Sequence, residues 1–290
     1  MAEVGLVQFA RVALDVAQAT VPRYRSKFSK HIFHQPQLLA ILCLMRYEDW
    51  TFREAEVRLT EHSELRRALQ LKSVPDHTAL YRFLRRLDEE AIDRALREVV
   101  HRIPLPGPRR RARVAIDATG LSQGAISTFF VRRMHHHTQQ PMPWRKWLKW
   151  LVVVDLDRHL ILAQKAHSGP TNDGASLRSL IAVAHGVSPI GLVLADAEFD
   201  SELNHTYIRQ QLHARSVIPA KRGKASWRIR GVRAQMRSNF PRHLYCRRAL
   251  IETTFSTAKR KLSARAPGRC LLTQRRQALL LGLAVNLYQL

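Results

Sequence analysis

Three carboxylates stand where this chain can do metal-dependent chemistry. Asp117 ends the apolar run Val114-Ala115-Ile116 and Asp196 ends Leu192-Val193-Leu194-Ala195, so each is expected at the end of a buried strand. If those strands are neighbours, both side chains can share a divalent cation at the sheet edge, a place where open α/β sheets often bind ligands. Strand-end aspartate is also a common turn former, the plain alternative for either residue alone. Glu252 carries more information. It is the single acidic side chain among the last 88 residues, which hold 19 Lys or Arg. Tyr245, Arg248, Glu252 and Lys259 fall at i, i+3, i+7 and i+14, within an arc of roughly 60° on a helix of about 100° per residue. Ile251, Phe255, Ala258 and Leu262 form an adjacent apolar stripe. A helix packed on the sheet through that stripe presents the polar face to the strand ends. The competing reading is an exposed amphipathic helix with an Arg248–Glu252 ion pair, worth about 0.5 kcal/mol at most.

The elements that must position these residues divide the chain at Ile103 and Pro104. Before that point, Gln37 to Arg46, Thr51 to Leu59, Ser63 to Leu71, Thr78 to Leu87 and Glu90 to Arg102 carry apolar residues at helical spacing. Residues 1–103 therefore read as a small all-α N-terminal domain, with Asp76 as a helix N-cap; the pattern is compatible with a helix-turn-helix-like, DNA-binding module and equally with short helices in a small bundle. From Arg113 the period changes to strands: Val114 to Asp117, Ser127 to Arg132, and a hairpin pair Trp147 to Val154 and His159 to Ala166. A helix Ala175 to Ala184 capped near Asn172 or Asp173, a strand Gly191 to Ala195, a helix Ser201 to Leu212, a strand Ser216 to Ala220 and the Tyr245 helix complete the order. Residues 104–290 thus form an α/β layer domain with a mixed sheet.

Charge narrows the function classes. Residues 1–103 hold 17 basic and 14 acidic side chains, and residues 104–290 hold 31 and 9, in a chain of net charge +25. That excess is beyond what solubility needs, and a polyanion rewards it by counterion release, so nucleic acid is the expected partner ahead of an anionic membrane surface. No stretch approaches the roughly 20 apolar residues needed to span a bilayer, and Met1 to Leu14 lacks the pattern of a signal peptide, so the cytoplasm is the expected compartment. Cys43, Cys246 and Cys270 are widely spaced, with no C-x-x-C, and read as reduced, mostly buried side chains rather than a disulfide or zinc framework.

The spacing Tyr245, Arg248, Glu252, Lys259, together with Ile116-Asp117-Ala118-Thr119-Gly120, Lys146-Trp147-Leu148-Lys149 and Asp196-Ala197-Glu198-Phe199-Asp200-Ser201, resembles the DDE transposases of bacterial insertion sequences. More closely, it resembles the superfamily of insertion-sequence groups four and five, from about Arg113 to the C-terminus. Asp196 is followed by Ala197-Glu198-Phe199 where relatives often show a Gly and a Tyr. The 55 residues between Asp196 and Glu252 leave no room for a large insertion domain. The resemblance implies a ribonuclease-H-like core in which Asp117, Asp196 and Glu252 form a catalytic triad holding two Mg²⁺ ions, with Mn²⁺ as a substitute. It further implies that water cuts an element end and that the freed 3′ hydroxyl attacks target DNA. Tyr245, Arg248 and Lys259 then contact DNA phosphates or orient the nucleophile. The implied partners are double-stranded DNA, as terminal inverted repeats and as target, and a second copy or larger assembly of the chain on that DNA; the implied location is the bacterial nucleoid. Asp200 and Glu198 are alternatives to Asp196 as the second ligand.

Other motifs carry less. His135, His136 and His137 are consecutive, so in a strand they point to alternate faces and cannot all reach one metal; His137 or Arg133 are candidates to touch DNA instead. Trp144, Trp147 and Trp150 recur every third residue among Arg145, Lys146 and Lys149, which suits base stacking but suits core packing better. Lys221 to Arg237 has seven basic residues and no acid, with Lys221, Arg222, Lys224, Arg228 and Arg230 as a DNA-backbone track or, more plainly, a basic loop. Rival functions are an inactive, DNA-binding transposase relic, a stand-alone ribonuclease-H-like nuclease, and a basic RNA-binding structural protein.

Overall fold

The computed structural model describes residues 4–28, 32–107, 111–123, 147–169, 173–221 and 230–290. The first hundred residues fold into α1 (Leu6–Thr20), α2 (Gln35–Tyr47), α3 (Phe52–Glu61), α4 (Ser63–Ala68), α5 (His77–Arg86) and α6 (Glu89–Arg102). Local chemistry sets their starts. Thr51 accepts the Glu54 N–H while the Glu54 carboxylate accepts the Thr51 N–H, a reciprocal capping box, and Asp76 accepts the Ala79 N–H at the head of α5. The helix α1 lies outside the expected set. Its buried face, Phe9, Ala10, Ala13, Leu14, Val16 and Ala17, recurs at helical spacing, so its periodicity was there to be read.

Among the described residues, five strands form one sheet: β1 (Ala112–Ser122), β2 (Trp147–Asp155), β3 (Leu160–Ser168), β4 (Ile190–Ala195) and β5 (Arg215–Val217). Their order is β3-β2-β1-β4-β5, with β1/β2 and β2/β3 antiparallel and β1/β4 and β4/β5 parallel. Between strands run α7 (Leu177–Val187) and α8 (Glu202–Thr206), the latter continued by a π turn, Tyr207–Gln211. After β5 come α9 (Gly231–Ser238) and a helical run made of α10 (Arg242–Tyr245), a 3₁₀ turn Cys246–Ala249, α11 (Leu250–Thr257) and a π turn Ala258–Leu262. The final helix is α12 (Leu271–Leu287). A mixed sheet flanked by helices and preceded by a helical region is the expected ribonuclease-H-like α/β arrangement.

Strand alternation splits the core into two layers. Ala115, Leu121, Trp150, Val152, Leu192 and Leu194 face α11 and α12, and this layer runs on into α1, α2 and α6. Val114, Ile116, Leu151, Val153, Val193 and Ala195 face α7 and the α8 region. Arg158 ties the helical region to the sheet, donating to the Asp155 carboxylate at 2.8 Å and to the Ile103 carbonyl at 2.8 Å.

Several expected boundaries shift. The strand β1 does not end at Asp117 but runs to Ser122, because β2 pairs with it as far as Ser122 opposite Trp147. The helix expected over Ser201 to Leu212 changes from α to π at Tyr207, and the last strand sits at Arg215–Val217 rather than Ser216 to Ala220. The segment Gly231–Ser238, at the end of the expected basic loop, is helical. Cys43 is buried, but Cys246 and Cys270 are exposed, against the expectation that most would be buried. The expected strand Ser127 to Arg132 and the cap at Asn172 lie outside the described residues.

Candidate active site

Register and parity bring the two aspartates together. Ile116 pairs with Ala195 in the parallel β1/β4 ladder, so Asp117 and Asp196 follow at the same level on neighbouring strands. Ala115 on β1 and Leu194 on β4 both face the α11 side, and the next residue of the same parity is Asp117 on one strand and Asp196 on the other. The stripe Ile251, Phe255, Ala258 and Leu262 is buried on that side, with the Phe255 ring edge-on to Trp150 at 6.0 Å. Anchored through that stripe, the helical run turns Arg248 and Glu252 toward the two strands.

Arg248 is the hub. Its Nη2 donates to Asp117 Oδ2 at 2.7 Å and lies 3.8 Å from Asp196 Oδ2, while Nη1 lies 4.0 Å from Glu252 Oε1. The Arg248 and Asp117 side chains are each 17% exposed, whereas Glu252 is 69% exposed. Asp117 Oδ1 also accepts the Ala118 N–H at 2.8 Å, and Asp196 Oδ1 accepts the Glu198 N–H at 2.8 Å. Burial holds the Asp117 carboxyl above the usual carboxylate range; Asp196 and Glu252 add to the push, while the Ala118 N–H and Arg248 oppose it. An all-oxygen set of three carboxylates suits a hard divalent cation. As they stand, the three are gathered on a guanidinium rather than closed onto one point, and among the described residues no cluster of three His, Cys, Asp or Glu is formed for a metal. The donor set fits a hard divalent cation, and Arg248 supplies positive charge to the same carboxylates.

The remaining expected residues fall into groups. The Tyr245 phenol is held above its ordinary range by burial, and it senses Arg248, Asp196 and Asp117, so it belongs to the same site. Lys259 follows α11 in the π turn, where burial pulls its ammonium down, and it makes no ion pair among the described residues. Both a 3₁₀ and a π turn interrupt the run, so the uniform 100° step behind the expected four-residue face does not hold along its length. Asp200 is committed elsewhere: it accepts Arg233 Nη2 at 2.7 Å and the Lys221 N–H at 2.8 Å, and Glu198 is exposed, which leaves Asp196 as the aspartate facing Arg248. Lys221 and Arg230 are exposed; Arg222, Lys224, Trp227 and Arg228 lie outside the described residues, as do Arg133, His135, His136, His137, Trp144, Arg145 and Lys146. Trp150 fills the core and donates to Gln164 at 3.1 Å, so base stacking is not open to it. Lys149 is paired with Asp173.

Two arginine contacts had no signal in the sequence. Arg248 reaches Asp117 across 131 positions, and Arg233 clamps Asp200 across 33, whereas spacing along a helix reveals only the weaker Arg248–Glu252 approach. Among the described residues no helix is long and apolar enough to cross a membrane. A search of curated proteins returned no match. Residues 108–287, more than half of the chain and the whole of the site just described, match the family model for the transposase DDE domain, and the chain belongs to that family.

Proposed function

We propose that the chain is the transposase of an insertion sequence, binding terminal inverted repeats and carrying out Mg²⁺-dependent strand cleavage followed by strand transfer into target DNA. Proteins of its family act on DNA in transposition and generally use divalent metal ions. The observation that carries the finer reading is the gathering of Asp117, Asp196 and Glu252 on the guanidinium of Arg248. These three are the proposed catalytic carboxylates and the ligands of two Mg²⁺ ions, for which Mn²⁺ substitutes. Bound there, the ions would activate the attacking oxygen and stabilise charge on the leaving oxygen of an in-line displacement at phosphorus.

The protein's own residues do the rest. Arg248 offsets the repulsion among the carboxylates and, once released from them, offers a two-pronged donor to phosphate. Tyr245 orients the reacting strand, and Lys259 neutralises a phosphate as a point charge. Lys221 and Arg230, with Arg222, Lys224 and Arg228, are the proposed backbone grip. Residues 1–103 form a helical unit with a DNA-binding role beside the catalytic unit 104–290, and the protein works as a homodimer or larger assembly on DNA.

The test is an incubation of the protein with Mg²⁺, a plasmid, and duplexes carrying the inverted repeats that bracket its reading frame. Strand-transfer products that vanish in Asp117→Asn are expected. Nicking without transfer would favour a stand-alone nuclease, and DNA binding without nicking would favour an inactive relic.

A further inference from the structure

A cleft of about 610 Å³ opens beside the edge strand β5, apart from the carboxylates. Its walls include Arg209, Arg215, Gln235, Asn239, Phe240 and His243, and among the described residues no carboxylate lines it. The volume lies within the roughly 300 to 1,000 Å³ of sites that hold a small organic ligand, enough for a nucleotide.

The walls are fixed from behind. Arg209 donates to Ser216 Oγ at 2.9 Å and to Gln235 Oε1 at 3.0 Å, and buried His205 holds the same Ser216 at 2.7 Å. On the α9 side, Arg233 is locked to Asp200 and the Glu202 carboxylate accepts the Val232 N–H at 3.0 Å. Gly231 has φ 60°, and a Cβ there would strike Glu202, so this approach demands glycine. By contrast, the side chains of Arg215 and His243 have no partner among the described residues. Burial and the charge of Arg215 hold the Arg209 guanidinium below its ordinary range, opposed by the Glu202 carboxylate, while no carboxylate among the described residues lines the space that Arg209 and Arg215 share. An anion placed between them relieves that repulsion.

The cleft also adjoins the carboxylate site. Phe240, in its wall, packs edge-on to Tyr245 at 5.0 Å, and Tyr245 lies in the field of Arg248, Asp196 and Asp117. We propose that this cleft is a second DNA subsite, in which Arg215 and His243 bind a backbone phosphate of the strand leaving the carboxylates and Phe240 supports its sugar. The subsite rests on the transposase reading for its ligand.

The test is fluorescence anisotropy of the full chain with a labelled duplex, in Ca²⁺ buffer over a range of salt. The double variant Arg215→Ala/His243→Ala should bind about tenfold more weakly, with a salt slope shallower by about 1 to 2, as expected for one or two lost phosphate contacts. Arg215→Glu should weaken binding further, and each variant should keep the wild-type melting temperature. As a control, Lys165→Ala removes one exposed charge from β3, at the opposite edge of the sheet from β5, and should change little. Wild-type affinity and slope in the double variant, or an equal loss in Lys165→Ala, overturns the cleft proposal while leaving the transposase reading intact. Failure of the wild-type protein to bind any duplex overturns both.

Discussion

Replacing Arg248 by alanine separates a guanidinium that merely decorates the site from one that stands in for a cation. In the structure it makes one short, charge-assisted hydrogen bond to Asp117, with both groups mostly buried, and two longer approaches, of which the one to Glu252 is solvent-exposed. The first is worth about 1.5 to 3 kcal/mol and the last almost nothing. Arg248→Ala should therefore lose about 2 kcal/mol of stability in metal-free buffer, lowering the melting temperature by about 3 °C for a chain of this size. The three carboxylates are then left to repel one another. A divalent cation that enters the wild-type site must first dislodge the guanidinium, and that cost of about 2 kcal/mol is subtracted from its apparent binding energy. Without Arg248 the same ion should bind about 10- to 30-fold more tightly, since each 1.4 kcal/mol is a factor of ten.

Titration with Mn²⁺ followed by electron paramagnetic resonance, with melting temperatures in parallel, reads both effects without any catalytic turnover. Arg247→Ala is the control, because its guanidinium pairs with Asp157 at 3.3 Å rather than with the triad, and it should leave Mn²⁺ affinity unchanged. Equal Mn²⁺ affinity in the wild type and Arg248→Ala would refute the reasoning. So would an equal gain in Arg247→Ala, which would reduce the effect to general charge.

Three further outcomes follow from the same geometry. Asp117→Asn, Asp196→Asn and Glu252→Gln should each lower Mg²⁺-dependent nicking by at least about a thousandfold, while anisotropy in Ca²⁺ buffer shows DNA binding within a few-fold of wild type; full nicking in any one of them removes that residue from the triad. Asp117 has its folded pKa raised above the unfolded one, so the stability it contributes is fully present below about pH 4 and is lost as pH rises through the higher folded value. Asp117→Asn should therefore flatten the fall in metal-free melting temperature between pH 4 and 7, and an unchanged fall would show that another group causes it. Arg233→Ala leaves Asp200 buried without its clamp and should cost about 2 to 3 kcal/mol in urea unfolding, discounted because Arg233 keeps some exposure.

Much of this architecture was legible because it is carried by short-range patterns. The strands around Ile116, Val152 and Leu194 read as apolar runs, and the cap at Asp76 read from one side chain. The spacing of Ile251, Phe255, Ala258 and Leu262 marks the buried side of the helical run. The helix α12 was not legible, because nearly every residue from Ala278 to Leu287 is buried and a helix enclosed on all sides has no amphipathic period. Turn type was equally hidden. Nothing in Ala258-Lys259-Arg260-Lys261-Leu262 announces a π turn, yet that turn changes where Lys259 points relative to Glu252.

The placement of the site follows from parity more than from any single contact. A strand alternates its faces every residue, so an aspartate two positions beyond Ala115 and another two beyond Leu194 must share the face on which Leu194 and Ala115 are buried. Parallel pairing of Ile116 with Ala195 then sets the two at one height, and the apolar stripe of the following helix can bury itself only against that face. A slip of one residue in β4 would send Asp196 to the α7 side and break the approach to Arg248. The basic excess of the second half gains a physical role from this. Three carboxylates drawn to one edge of a sheet need positive charge nearby in every state of the protein, and the helix that delivers the last of them, Glu252, also delivers the arginine that meets all three.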